Sequence, residues 1–255
     1  MTSRLAPAPR LFVVSILLGV MAAVPSAIEL AAAREPPDGA SAPRSSPEEM
    51  SGDQLFSELL EHNHSREERL LRYAVVRTYM VKSDKDTVYA TTVVRMQYQA
   101  PGAKQFATVS EEGSGVIRSV VFRRLMESEV EAAKGRGHRD SSISPDNYTF
   151  RSLGEEDGGG RHYFVVKAVP KRKDKFLFEG KVWIDAQDFA VAKIVGRPAK
   201  NPSFWIKQVD FVRQYQKIGE FWLPLQDESV SDVRIFGKRV LTIDHRSYVV
   251  NGATP

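Results

Sequence analysis

Asp244-His245, with Ser247 two residues on, brings together a carboxylate, an imidazole and a hydroxyl, the residue types of nucleophilic catalysis. Neighbours on a strand point to opposite faces, so Asp244 and His245 are parted while Ser247 shares the face of His245. Nothing frames that serine as a nucleophile. The sequence holds no G-x-S-x-G, and Gly113-Ser114-Gly115 has Glu112 two before its serine, so it reads as a turn. Glu111-Glu112 and Glu155-Glu156-Asp157 have the composition of acid–base pairs, but they fall at expected turns, where solvated charge is the simpler reading. His62 and His64 stand two apart on an expected helix and point in different directions, with no third ligand near. The chain has no cysteine, which excludes disulfides, Cys-ligated zinc, iron–sulfur clusters, a thiol nucleophile and a thioether-linked lipid. There is no H-E-x-x-H, no P-loop and no G-x-G-x-x-G opening a helix. These residues predict no enzyme, no catalytic residue, no cofactor and no metal. A hydrolase working through His245 is the weakest of the readings kept.

The elements that must carry these residues follow from the pattern. Arg4 and Arg10 precede the apolar run Leu11 to Val24, and Ala31-Ala32-Ala33 follows. That is a secretory signal, shorter in its apolar part than a spanning helix, with cleavage expected after Ala33. Residues 34–50, with Pro36, Pro37, Pro43 and Pro47, read as a flexible linker. The remainder, 51–255, reads as one domain. Leu55, Phe56, Leu59 and Leu60 form one stripe of an opening helix, and Ser65-Arg66-Glu67-Glu68 offers the start of a second. From Tyr73 the period becomes two. Strands are expected over 73–81, 87–99, 106–110 and 116–122, then a helix over 125–134. Seven more strand regions follow between Tyr148 and Val250, joined by short turns, with 221–225 and 228–236 as two pieces of one region. Short connections mean antiparallel hairpins, and about ten strands with two or three helices mean an α+β fold.

The strand faces suggest a cavity. Phe176, Phe178, Val182 and Ile184 share a face, as do Phe164 and Val166 on the preceding strand and Trp205, Val209 and Phe211 on a later one. Trp222 adds another large ring to this aromatic-rich half. An ordinary core explains most of them. A wide sheet under few helices also leaves an apolar concavity able to take an acyl chain, and these ten residues are the expected ligand-binding set. The formal net charge of +4 is spread along the chain and does not call for nucleic acid. Lys171-Arg172-Lys173 with Lys175 is the densest basic cluster, read as a solvated hairpin tip or a contact to anionic headgroups.

Several segments resemble a known family. Lys171-Arg172-Lys173-Asp174-Lys175, Gly180-Lys181-Val182-Trp183-Ile184-Asp185, Asn201-Pro202-Ser203-Phe204-Trp205-Ile206, Phe221-Trp222-Leu223-Pro224 and Val233-Arg234-Ile235-Phe236-Gly237 resemble outer-membrane lipoprotein-sorting proteins, the LolA/LolB-like group to which the N-terminal domain of MucB/RseB is similar. The resemblance spans about residues 51 to 250 and includes the helix leading into Leu71-Arg72-Tyr73. It implies an incomplete, half-open antiparallel β-barrel of about ten strands closed by helices, with an apolar cavity for lipoprotein acyl chains. It also implies periplasmic work without chemistry, with an inner-membrane releasing complex or an outer-membrane acceptor as partners. Arg77, Arg95 and Arg213 are the candidates for the functional arginine of such a carrier. The chain departs from the lipoprotein receptor in having no cysteine to acylate, and from the MucB-type regulator in ending where a second domain would begin. The alternative reading is an envelope-stress sensor that binds a protein partner in response to lipid.

Overall fold

A computed structural model describes residues 51–134, 143–174, 176–201, 206–234 and 237–252. The expected signal segment 1–33 and the linker 34–50 lie outside the described residues, as does Trp205. Ten strands form one antiparallel sheet: β1 (Arg72–Ser83), β2 (Val88–Gln99), β3 (Ala103–Gly113), β4 (Tyr148–Gly158), β5 (Arg161–Pro170), β6 (Phe178–Asp185), β7 (Ala190–Pro198), β8 (Ile206–Ile218), β9 (Phe221–Val233) and β10 (Gly237–Val250). Their order is β3-β2-β1-β10-β9-β8-β7-β6-β5-β4, so two meanders join where β10 pairs with β1. β3 and β4 are free edges, and the sheet is not closed into a barrel. This is the expected α+β, half-open arrangement.

Alternation builds the strands. On β1 the odd positions from Val75 to Val81 are buried and the even ones half-exposed, so one face of the sheet is covered. Gly180 of β6 faces Gly196 of β7, and a Cβ on Gly180 would overlap the Val195 carbonyl. Only glycine permits this approach of the two backbones.

The opening helix, α1 (Gly52–Arg69), is a single helix. Its capping box is Ser51 and Gln54, each side chain accepting from or reaching the other's backbone N–H. The expected second start at Ser65 is absent: the helix runs through it, and the Ser65 hydroxyl accepts from Arg69 Nη1. Leu55, Phe56 and Leu59 bury the α1 stripe against β4–β8, with the rings of Phe56 and Phe150 stacked at 3.6 Å.

The expected strand over 116–122 is corrected. Ser114 caps an α-helical turn (Gly115–Ile117), a π-helical turn follows (Arg118–Phe122), and α2 (Arg123–Lys134) continues from it. The β-branched run favours a strand locally, but Phe122 and Leu125 gain full burial against Tyr79, Val94 and Ile243 only on a helix. The two pieces 221–225 and 228–236 merge into the single strand β9. Glu111-Glu112 and Glu155-Glu156-Asp157 belong to β3 and β4 rather than to turns, and all five are exposed.

Candidate functional site: a cavity under the opening helix

Between α1 and the covered face of the sheet lies a cavity of about 140 Å³. Its apolar lining comes from Leu59 and Leu60 of α1 and from Tyr215, Phe221, Trp222 and Leu223 around the β8–β9 hairpin. Its floor is ionic. Arg213, Asp227, His245 and Arg77 line the cavity from four successive strands, β8, β9, β10 and β1. Register places them: Arg213 is opposite Asp227, and His245 is opposite Arg77. Glu129 of α2 and Lys104 of β3 also line the cavity.

The floor holds two buried ion pairs. Arg77 Nη1 donates to both oxygens of Glu129, at 2.9 and 3.0 Å, and to the Tyr79 hydroxyl at 3.3 Å. Lys104 Nζ adds a contact to Glu129 Oε2 at 3.3 Å. Arg213 Nε donates to Asp227 Oδ1, and His245 Nε2 lies 3.1 Å from Asp227 Oδ2. Burial pushes both carboxyls up, but the cations outweigh it: Arg77 and Lys104 hold Glu129 down at about 2, and Arg213 and His245 hold Asp227 down at about 2. Burial also lowers the His245 pKa; Asp227 opposes this, and the Arg77 charge adds to the lowering. The imidazole is therefore neutral at pH 7. Because ionised Asp227 can only accept, Nε2 carries the proton and Nδ1 is a bare acceptor. Neither His245 Nδ1 nor Arg77 Nε has a hydrogen-bond partner among the described residues.

The expected binding residues divide. Phe164, Val166, Phe178, Val182, Ile184 and Phe211 are buried together in the core that α1 covers. Phe176 lies just before β6, half-buried, its N–H donating to Asp174 Oδ1. Val209 packs with Ile206 in a separate small cluster. Trp222 lines the cavity, with Nε1 donating to Asp188 Oδ2 at 2.9 Å and Arg161 over its ring at 5.1 Å. Of the three candidate arginines, Arg77 and Arg213 are in the floor, and Arg95 is exposed.

The chemistry imagined for Asp244, His245 and Ser247 is not assembled. A bulge sets two residues of β10 against Val75, Ser247 takes a φ of 55°, and from there the faces exchange. Ser247 is exposed, and Tyr248 takes the inward position with its hydroxyl donating to Pro224 O at 2.7 Å. The carboxylate partner of His245 is Asp227, not the adjacent Asp244, which accepts from Gln226. His62 stacks on Phe189 at 5.2 Å, and His64 pairs with Glu68 at 3.4 Å. Among the described residues there is no cluster of three or more metal-ligating side chains. Lys171 and Arg172 donate to Pro145 O and Asn147 Oδ1 and so bind the hairpin to the 144–147 turn.

No protein-family profile matches this chain, and no curated protein matches it. Among solved structures, the chain is similar to an outer membrane lipoprotein-sorting protein domain from Vibrio parahaemolyticus, at 14% identity and a TM-score of 0.46, covering 78% of this chain and 93% of that one. It is also similar to a LolA superfamily protein from Nitrosomonas europaea, at 9% identity and a TM-score of 0.37, covering 78% and 93%. MucB in complex with MucA(peri) is a more distant likeness, at 10% identity and a TM-score of 0.26, covering 79% and 95%.

Proposed function

We propose that this chain binds the acyl chains of lipoproteins, or another lipid, in the bacterial periplasm, and that it does so without catalysis in the sorting of lipoproteins to the outer membrane. The observation that carries the reading is the cavity between α1 and the sheet, with Leu60, Tyr215, Phe221 and Trp222 in its apolar lining. Its 140 Å³ is close to the roughly 150 Å³ that accepts a benzene in an engineered cavity, so the closed form holds only a few carbons. A whole acyl chain requires α1 to rise from the sheet. That movement bares Phe164, Phe178, Val182 and Phe211, now covered by Leu55 and Phe56. At about 25 cal/mol per Å², several hundred Å² of buried chain supplies several kcal/mol before ordering costs.

Native mass spectrometry on protein from a periplasmic extract, with lipid extraction of the same sample, tests this. A bound acyl species is expected in the wild type and lost in Leu60→Glu, whose half-buried position spares the core. Protein that is empty and also fails to take up a fluorescent fatty acid sinks the reading. A stoichiometric protein partner in place of lipid would turn it into the sensor.

A further inference from the structure

We propose that the cavity takes an amphiphile with a single negative charge, a fatty acid whose carboxylate sits at Lys104 on the open edge of the sheet. This deepens the lipid-binding reading above and rests on it. The charges of the lining do not balance. Three cations, Arg77, Lys104 and Arg213, stand against two carboxylates, Glu129 and Asp227. Both carboxylates are held ionised, and burial keeps His245 neutral. From α1, Arg66 and Glu67 add one charge of each sign. The described lining therefore carries one positive charge in excess, and in a cavity of low dielectric an unbalanced charge draws its opposite.

The excess falls on Lys104. Arg77 is bound to both oxygens of Glu129 and Arg213 to Asp227, and each of these arginine side chains is 5% exposed. Arg66 is spent on the carbonyls of Asp188 and Phe189 and on Asn63 Oδ1. Lys104 has one contact among the described residues, to Glu129 Oε2 at 3.3 Å, which leaves two of its three donors. Its side chain is 21% exposed, and its strand, β3, is a free edge of the sheet. A head group can therefore reach it. Lys104 is opposite Tyr98, and Tyr98 is opposite Tyr73; both rings line the cavity. They pack with Leu223, which gives the tail an apolar wall beside the head group. A carboxylate at Lys104 leaves the Arg77–Glu129 pair intact. An ammonium would add to the excess, and a phosphate monoester, with a charge of about −1.5 to −2 near pH 7, would exceed it.

The test uses the purified chain at pH 7.5 and displacement of the neutral fluorescent probe 1-N-phenylnaphthylamine. Decanoate, methyl decanoate, decylamine and decyl phosphate compete for the probe. Decanoate is expected to bind more tightly than decylamine and decyl phosphate. In Lys104→Gln decanoate should weaken about tenfold, the worth of a hydrogen bond between charged groups, while methyl decanoate keeps its affinity and decylamine gains. Lys104→Arg should keep the wild-type ranking. Equal weakening of decanoate and its ester in Lys104→Gln, or weakening of neither, would overturn the inference, since Lys104 then does not read the head group. Decylamine level with decanoate or ahead of it in the wild type would overturn it even if Lys104→Gln fails to fold. Decyl phosphate ahead of decanoate would overturn it in favour of a site for a dianion. A probe that never binds counts against the lipid reading itself and takes the inference with it, whereas probe binding without ranking by charge defeats the inference alone.

Discussion

Under α1 the covered face of the sheet is dry: Phe56, Phe150, Phe178 and Phe211 meet there with Val182 and Ile184. Beside it, in the floor of the cavity under the same helix, the sheet carries Arg77, Arg213, Asp227 and His245, and Glu129 reaches Arg77 from α2, all five buried. The first region gains stability from area and close packing, and in the proposed function an apolar acyl chain takes the place of the apolar face of α1 there. The charges of the second are tolerated only while each partner stays in place, and the pairing of Glu129 with Arg77 and Lys104 ties α2 to the sheet, whereas the proposed function makes α1 the movable cover.

Acid separates the halves most strongly. Glu129 and Asp227 are held at about 2, below their ordinary values of 4.5 and 3.8, so the unfolded chain takes up protons first. Their stabilisation is complete above the ordinary values and is lost as pH falls from about 4.5 toward 2, a change on the order of 5 kcal/mol. His245, lowered from 6.5, acts in the same direction and begins the decline below about 6.5. Urea midpoints measured across this range should fall with pH, and in His245→Phe the part that sets in below about 6.5 should flatten. Next in size, Phe56→Ala should cost about 4 kcal/mol in urea unfolding, because its ring is fully buried on Phe150. Glu129→Ala should cost about 3 kcal/mol by leaving Arg77 buried without its partner, and joining it to Arg77→Met should recover most of that loss. No second substitution of that kind should rescue Phe56→Ala, which is the sharpest contrast between the halves. Smallest is Ser51→Ala, expected to cost about 1 kcal/mol by removing the cap of α1. Because it loosens only the movable cover, it should raise the on-rate of a fluorescent fatty acid in stopped flow.

The apolar half was legible in the sequence because alternation is local: Phe178, Val182 and Ile184 could be placed on one face with no knowledge of their neighbours. The polar half was not, because its pairs form across strands. Arg213 and Asp227 flank the turn at Gly219-Glu220, and counting outward from it sets Arg213 opposite Gln226. A bulge between Gln214 and Tyr215 moves the register by one and brings Asp227 there instead. Glu129 was hidden for another reason. It faces the sheet only because residues 115–122 are helical, where their β-branched side chains read as strand.

The extra residue near Ser247 acts on β10 as a phase shift does on a wave. Before it the odd-numbered residues Leu241, Ile243 and His245 are buried; after it the even-numbered Tyr248 and Val250 are, and Ser247 stands outside. Any comparison of this chain with a relative that lacks the insertion must open a gap there, or every later position is assigned to the wrong side of the wall. Deleting one residue at that point would carry Tyr248 and Val250 outward together, away from the aromatic cluster they share with Met96 and Phe221.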